Sequence, residues 1–359
     1  MTNRNETILN GLNFSDICEV ILNATEIIDN NYSMCCDTRA LIEQIEEATQ
    51  QLYDNTCICE GCGRLLSLEH THEGYDGLTY CGCCVTGSEE SMSPIQDYHA
   101  HKGCFAPRDN GESFKVAYRG FELEIESIHD GIDEGFCDIL SGYTDSFYFE
   151  RDGSLTDGVE IITDPMTREY WREVGYKDIC NLLTDLRETY RIRSWNGGNC
   201  GLHVHFSKDE WSKEAIQFLI KFIIANPTFI KAISGRNGMG YCRIPNIEDY
   251  DLDRLISFSR YLAVNFTRET IEFRFFRGSL DLESIYCSVE ICDHLLIYAE
   301  TVIYNEEDLE RALTADRFIE FLSETTGHSI QLLQFVARRN KRYYEREARL
   351  AEEAENDLE

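Results

Sequence analysis

Three short runs of the sequence alternate apolar residues with ionisable ones, and this pattern limits the folds that the chain can adopt. Successive side chains of a β-strand point to opposite faces of its sheet. Alternation therefore predicts strands that are apolar on one face and charged on the other, in a sheet whose apolar face is covered by other elements. The ionisable residues of the runs are Glu122, Glu124 and Glu126, then His203 and His205, then Glu272 and Arg274.

Each run has an ordinary structural explanation when it is taken alone. Carboxylates about 7 Å apart along a strand are acceptable on a solvated edge, and Glu272 with Arg274 makes a simple ion pair. The histidine run is more specific, because it places two of the nine imidazoles on one face of an apolar strand. Together the runs favour a site that binds a divalent metal, with an arginine for phosphoryl oxygens.

The cysteines are concentrated in one segment, since six of the sixteen lie between residues 57 and 84. They include two C-x-x-C pairs separated by eighteen residues, a spacing that predicts a Zn²⁺ site. Four thiolates leave no open position on the metal, so the site would be structural. The predicted ligands are Cys59, Cys62, Cys81 and Cys84. The alternative ligands are Cys57, Cys83, His70 and His72.

The charge of the chain excludes one large class of partners. With 65 acidic and 33 basic residues, the formal net charge is −32, whereas a nucleic-acid-binding protein needs a concentrated basic face. No signal peptide and no apolar run of membrane-spanning length are visible in the sequence. We therefore expect a cytoplasmic protein with reduced thiols and no membrane partner, whose zinc module binds a protein or supports folding.

The order of elements predicts an α+β protein. Helical periodicity covers 169–191, 211–225 and 282–304, and Ser207 with Glu210 has the form of a capping box that opens the second of these helices. The predicted segments are an acidic helical segment at 1–56, a zinc module at 57–92, a linker at 93–113, the main domain at 114–327 and a charged, solvated C-terminal helix at 328–359.

The motifs between residues 114 and 304 resemble, in order, those of the amidoligase family. This family belongs with the carboxylate–amine ligases of the glutamine synthetase and glutamate–cysteine ligase superfamily. Related proteins from phages and bacteria often carry a cysteine-rich zinc module ahead of the ligase domain. The matching motifs are G-x-E-x-E at 120–124, D-G-S-L at 152–155, G-V-E-I at 158–161, C-G-L-H-V-H at 200–205 and T-I-E-F-R-x-x-x-G-S-L-D at 270–281.

The resemblance implies a glutamine-synthetase-like curved antiparallel sheet, with helices packed on one face and the motifs on the other. It also implies roles for individual residues. The implied Mg²⁺ or Mn²⁺ ligands are Glu122, Glu124, Glu160, His203 and Glu272. The residues implied to contact phosphate, substrate or ATP are His205, Arg274, Arg236 and Arg268. Glu126 has no counterpart in the motif and is expected on the surface.

The implied reaction is ATP-dependent formation of an amide or isopeptide bond through an acyl phosphate. Its substrates would be an amine and a carboxylate, either of which can belong to a peptide or protein. One alternative is a metallohydrolase of the amidohydrolase type, because H-x-H with nearby carboxylates also binds the metals of such enzymes. The other is a non-catalytic adaptor that binds a protein through its zinc module and acidic helices.

Overall fold

The computed structural model describes twelve segments of the chain: 56–58, 65–67, 71–73, 79–81, 93–98, 107–109, 117–128, 131–195, 200–236, 240–305, 308–324 and 329–356. Backbone packing divides the chain into two units, one of residues 1–108 with 148–151 and one of 109–147 with 152–359. The acidic segment 1–55 and the predicted ligands Cys59, Cys62 and Cys84 lie outside the described residues. The zinc site and the domain limits therefore stay predictions.

The first unit consists of short paired strands where it is described. Strands β1 and β2 are antiparallel, as are β3 and β4, whereas β5 pairs in parallel with β7. Cys81 is the last residue of β4. The bounds are β1 Thr56–Ile58, β2 Leu65–Ser67, β3 Thr71–Glu73, β4 Thr79–Cys81, β5 Ile95–Gln96 and β7 Phe147–Glu150.

The second unit contains an antiparallel sheet with the strand order β13-β14-β10-β6-β8, and β9 pairs with one end of β6. A separate pair, β11 and β12, is also antiparallel. A mixed fold with a mostly antiparallel sheet is thus confirmed. The bounds are β6 Arg119–Ser127, β8 Gly158–Thr163, β9 Ile192–Arg193, β10 Gly201–Ser207, β11 Tyr250–Asp251, β12 Ile256–Ser257, β13 Val264–Phe266 and β14 Thr270–Arg277.

Helices occupy most of the remaining described residues of this unit. The helical run α2 contains a π-helical turn at Trp171–Gly175, between Arg168–Tyr170 and Tyr176–Thr189. A 3₁₀ turn spans Ile247–Asp249. The other helices are α1 Glu134–Ser141, α3 Lys213–Ala225, α4 Pro227–Ser234, α5 Leu282–Asn305, α6 Leu309–Ala312, α7 Ala315–Glu324 and α8 Ser329–Asn356.

The apolar face of the sheet packs against these helices. Leu123, Val204 and Phe273 are fully buried on three neighbouring strands, as alternation predicts. Phe121 of β6 packs edge-to-face on Trp171 of the π-helical turn, with 5.6 Å between ring centroids. This packing leaves the opposite face of the sheet to the ionisable residues.

Two buried carboxylates of α5 also form ion pairs with arginines of the sheet and of α2. Arg119, at the start of β6, places Nη2 3.1 Å from Asp293 Oδ1 on α5, and Arg168 Nε lies 2.6 Å from the other carboxylate oxygen. One turn away, Arg172 Nη2 lies 2.5 Å from Glu290 Oε2. Two carboxylates of α5 therefore hold three arginines from the sheet and α2.

The prediction about the start of helix α3 was wrong. Helix α3 is capped by Ser212, whose Oγ accepts a hydrogen bond from Ala215 N (3.2 Å). Ser207 does not cap it, because Ser207 is the last residue of β10 and its Oγ accepts a hydrogen bond from Tyr118 N (2.9 Å).

The C-terminal helix α8 is not solvated along its whole length. Leu332, Phe335 and Val336 are buried, so one side of its first half packs against the unit. Among the described residues, no single helix combines the length and apolarity needed to cross a membrane. Helices α3 and α4, bent by 87° relative to each other, satisfy those two criteria only as a pair.

Candidate functional site

The strand register places the predicted ligands on one face of the sheet. Directly opposed residues of antiparallel strands share a face and lie within contact distance. Reading across the strands, the opposed pairs are Glu160 with Glu124, Glu122 with His203, and His205 with Glu272. Four strands thus contribute side chains to one row, which we call the acid cluster: Glu122, Glu124, Glu160, His203, His205 and Glu272.

Glu122 is the centre of the acid cluster. Its Oε2 lies 3.1 Å from His203 Nδ1, and its Oε1 lies 3.2 Å from His205 Nε2. The second contact is close but poorly aligned, since His205 Nε2 is buried with no properly oriented hydrogen-bond partner among the described residues. On its other side, His205 Nδ1 lies 3.3 Å from Thr270 Oγ1. One carboxylate therefore contacts both imidazoles of the H-x-H motif.

Glu272 links the acid cluster to the guanidinium group of Arg274. Its Oε1 accepts a hydrogen bond from Arg274 Nη1 and lies 3.8 Å from His203 Nδ1. Its Oε2 accepts a hydrogen bond from Asn265 Nδ2 (2.8 Å) on β13. The carboxylate is buried, and both of its oxygens are held in fixed positions.

A second group of carboxylates lies toward β8. Glu124, Asp152 and Glu160 each place one oxygen within 4.8 Å of the other two. Glu124 Oε2 also accepts a hydrogen bond from the backbone N–H of Gly201. A β-carbon at residue 201 would lie 2.8 Å from Arg236 Nη2 and 3.0 Å from His203 Nε2, so any larger residue would require Arg236 and His203 to shift.

The proximity of these groups perturbs their protonation. Burial raises the pKa of Glu122, but the two histidines outweigh it and hold that pKa well below its usual value. Burial lowers the pKa of His205, but the carboxylates of Glu122 and Glu272 outweigh it, so the net shift is upward. Burial raises the pKa of Glu124. The site thus pairs an anionic Glu122 with an imidazole that readily takes up a proton.

The donor atoms of the cluster fit divalent metal ions. One atom from each of Glu122, His205 and Glu272 lies within 4.8 Å of the other two, and the same holds for Glu122, Glu160 and His203. Carboxylates this close repel one another unless cations lie between them. Oxygen donors with imidazole suit Mg²⁺ or Mn²⁺.

Three other predicted positions lie apart from this cluster or differ from expectation. Arg236 is buried beside Gly201, stacks on Trp195 (5.1 Å to the ring centroid) and donates to Phe276 O (2.9 Å). Arg268 is exposed in the turn between β13 and β14. Glu126, expected on the surface, is instead buried with its Oε2 2.8 Å from Arg193 Nε, because β9 covers that end of β6.

The pattern of the sequence did not assign roles to Asp152, Asn265 or Thr270. Asp152 lies in a turn and Asn265 on the short strand β13, where alternation gives no information. Thr270 begins β14 and shares the face of Glu272, so alternation was a usable signal for this residue alone. The only signal for Asp152 was its place in the D-G-S-L motif, a turn sequence in which its Oδ1 accepts a hydrogen bond from Ser154 N (2.6 Å). Turn chemistry alone explains that motif, so the sequence did not show that Asp152 lies beside Glu124 and Glu160.

Comparisons with known proteins give little beyond this geometry. The sequence matches no known family profile and no curated protein. Among solved structures, this chain is similar to a chain in the complex between the prokaryotic ubiquitin-like protein Pup and its ligase PafA. The identity is 12% and the TM-score 0.34, and the match covers 64% of this chain and 64% of that chain.

Proposed function

We propose that this protein is an ATP-dependent carboxylate–amine ligase that forms an amide or isopeptide bond. The observation that carries the proposal is the convergence of glutamates, the H-x-H pair and Arg274 on one sheet face. Clustered carboxylates bind the divalent metals that neutralise phosphate oxygens. Phosphoryl transfer also needs a permanent positive charge beside them. The order of the motifs along the chain, which resembles the amidoligase family, agrees with this function.

Mg²⁺ or Mn²⁺ held by the acid cluster would neutralise phosphate oxygens. The candidate ligands are Glu122, Glu124, Glu160, His203 and Glu272, with Asp152 added by the geometry. In the first step, a substrate carboxylate oxygen bonds to the γ-phosphorus of ATP and ADP leaves. Arg274, fixed by Glu272, lies where its charge can stabilise the transferred phosphoryl group.

In the second step, the amine nitrogen bonds to the acyl carbon and phosphate leaves. An ammonium ion must lose a proton before it can attack, and the anionic face of the sheet both attracts it and offers carboxylates that accept the proton. Water must be excluded until the amine arrives, because it hydrolyses the acyl phosphate.

The test is a hydroxamate-trapping screen with the full chain, ATP and Mg²⁺ or Mn²⁺. Hydroxylamine replaces the amine, and the carboxylates offered are free amino acids, glutamyl peptides and acidic proteins. We expect hydroxamate in proportion to ADP for at least one carboxylate. Hydroxamate that forms equally without nucleotide, or bond cleavage that needs no ATP, would support the metallohydrolase instead.

Replacing Glu122 distinguishes the proposed ligase from the alternative of a non-catalytic adaptor. In the variant Glu122→Gln the central carboxylate loses its charge, and we expect hydroxamate formation to fall at least about 100-fold. Glu188→Gln, at an exposed position of α2, is the matched control and should retain activity. If both variants behave like the unmodified protein, the acid cluster has no catalytic role.

A further inference from the structure

A bulge in β14 changes which of its side chains face the acid cluster. Leu202 opposes Phe276 and Val204 opposes Phe273, so three steps along β14 match two along β10. Beyond this bulge, Arg277 opposes Gly201 and therefore shares the face of His203, two residues further along β10. Strict alternation would have turned Arg277 to the apolar side. Bulges commonly re-aim a side chain in this way beside active sites.

Arg277 lies close to two arginines of the C-terminal helix α8. Gly235, which ends α4 in a left-handed conformation (φ +68°), supports the contact. A β-carbon at residue 235 would overlap Arg339 Nη1 and lie 3.1 Å from Arg277 Nε. Arg342 follows Arg339 by three residues and lies on the same side of α8. We call Arg277, Arg339 and Arg342 the arginine cluster.

The arginine cluster is poorly compensated in a chain of net charge −32. Arg339 is only 6% exposed, and its Nη2 donates to Ser284 Oγ (3.3 Å). Arg277 Nε is buried with no hydrogen-bond partner in the described part of the chain. Burial and the neighbouring arginines lower the pKa of Arg339 to about 10. Asp281 opposes this shift, but it is exposed and already accepts a hydrogen bond from Ser284 Oγ (2.6 Å).

We infer that Arg277, Arg339 and Arg342 form an oxyanion-binding site beside the end of β14, which takes a phosphate or carboxylate group of a substrate. Buried like charges are costly unless an anion lies among them. The guanidinium fork matches the geometry of either group. Arg236 Nη2 and Glu124 Oε2 both lie against Gly201, the residue that Arg277 opposes. The assignment of the anion to a substrate rests on the proposed function and makes α8 part of the site.

Calorimetric titration of the full chain in EDTA tests this site. Without metal the acid cluster repels anions, so binding reports on the arginines. The probes are tripolyphosphate and a hexaglutamate peptide. Arg342→Gln removes an exposed member of the cluster. Arg338→Gln is the matched control, since Arg338 is exposed, precedes Arg339 in the sequence and pairs with Glu283 (2.7 Å). We expect Arg342→Gln to weaken binding about tenfold or more and Arg338→Gln to leave it unchanged.

Preference for tripolyphosphate would identify the group as a phosphate, and preference for hexaglutamate as a carboxylate. The inference is overturned if neither probe binds, or if both variants bind like the unmodified chain. Anion binding does not depend on turnover. If the titration succeeds while no hydroxamate forms in the trapping screen, the ligase function fails and the oxyanion site stands.

Discussion

Gly201 is the residue whose replacement most directly tests the geometry of the site. Glu124 accepts its backbone N–H, while Arg236 and His203 occupy the space of its missing side chain. We expect Gly201→Ala to displace His203 and to weaken Mn²⁺ binding about tenfold or more, with little loss of fold. Titration calorimetry measures the affinity, and circular dichroism checks the fold.

Gly153→Ala is the matched control for this substitution. A β-carbon at residue 153 would meet no atom of the described residues within 4 Å, so this variant should bind Mn²⁺ like the unmodified chain. Equal affinity of the Gly201→Ala and Gly153→Ala variants would mean that the crowding at residue 201 is irrelevant to the metal site.

At the residue scale, the sequence contained most but not all of the candidate site. Alternation along β6, β10 and β14 put Glu122, His203 and Glu272 on one face, because side-chain direction in a strand follows from position alone. It did not place Asp152, whose position depends on a turn. It also misjudged Glu126, because the cover that β9 provides is a long-range contact.

At the element scale, Ser212 is the N-cap residue of α3. Its Oγ accepts from Ala215 N and donates to Glu300 Oε2 (2.9 Å) on α5. We expect Ser212→Ala to lower the free energy of unfolding by about 1–2 kcal/mol through loss of the cap. Urea denaturation measures the change.

Ser323→Ala serves as the control for the cap, because Ser323 is exposed and its Oγ donates to Glu320 O of its own helix. Its free energy of unfolding should stay within about 0.5 kcal/mol of the unmodified value. A similarly small effect of Ser212→Ala would show that the cap contributes little.

The elements themselves were more predictable than their ends. Helix α5 and strands β10 and β14 lie where apolar periodicity predicts them, since burial of one face requires that periodicity. The start of α3 was misplaced because two serines five residues apart both resemble caps, and only tertiary contacts distinguish them. The bulge in β14 has no glycine or proline to mark it.

At the scale of the whole molecule, the ion pairs between sheet and helices link stability to pH. Burial raises the pKa of Asp293, but Arg119 and Arg168 outweigh it, so the net shift is downward. A carboxyl group with a lowered folded-state pKa stabilises fully above its unfolded value of about 3.9, and this contribution is lost as pH falls through the folded value. Part of the stability should therefore disappear on acidification below about pH 4.

We expect Asp293→Asn to lower the free energy of unfolding at pH 7 by about 3–5 kcal/mol, because Arg119 stays buried without its partner. The variant should also lose less stability than the unmodified chain between about pH 5 and pH 3. Urea unfolding across this range tests both effects. Asp209→Asn, at an exposed position, is the control. Parallel pH profiles of the Asp293→Asn variant and the unmodified chain would contradict this linkage.

Isotope transfer shows whether the whole molecule acts as a ligase. A carboxylate substrate from the trapping screen is labelled with ¹⁸O at both oxygens and incubated with the full chain, ATP, metal and an amine. Activation as an acyl phosphate predicts that one ¹⁸O passes into each phosphate released and one stays in the amide. Phosphate without ¹⁸O, or cleavage of an amide with no need for nucleotide, would contradict amide formation through an acyl phosphate.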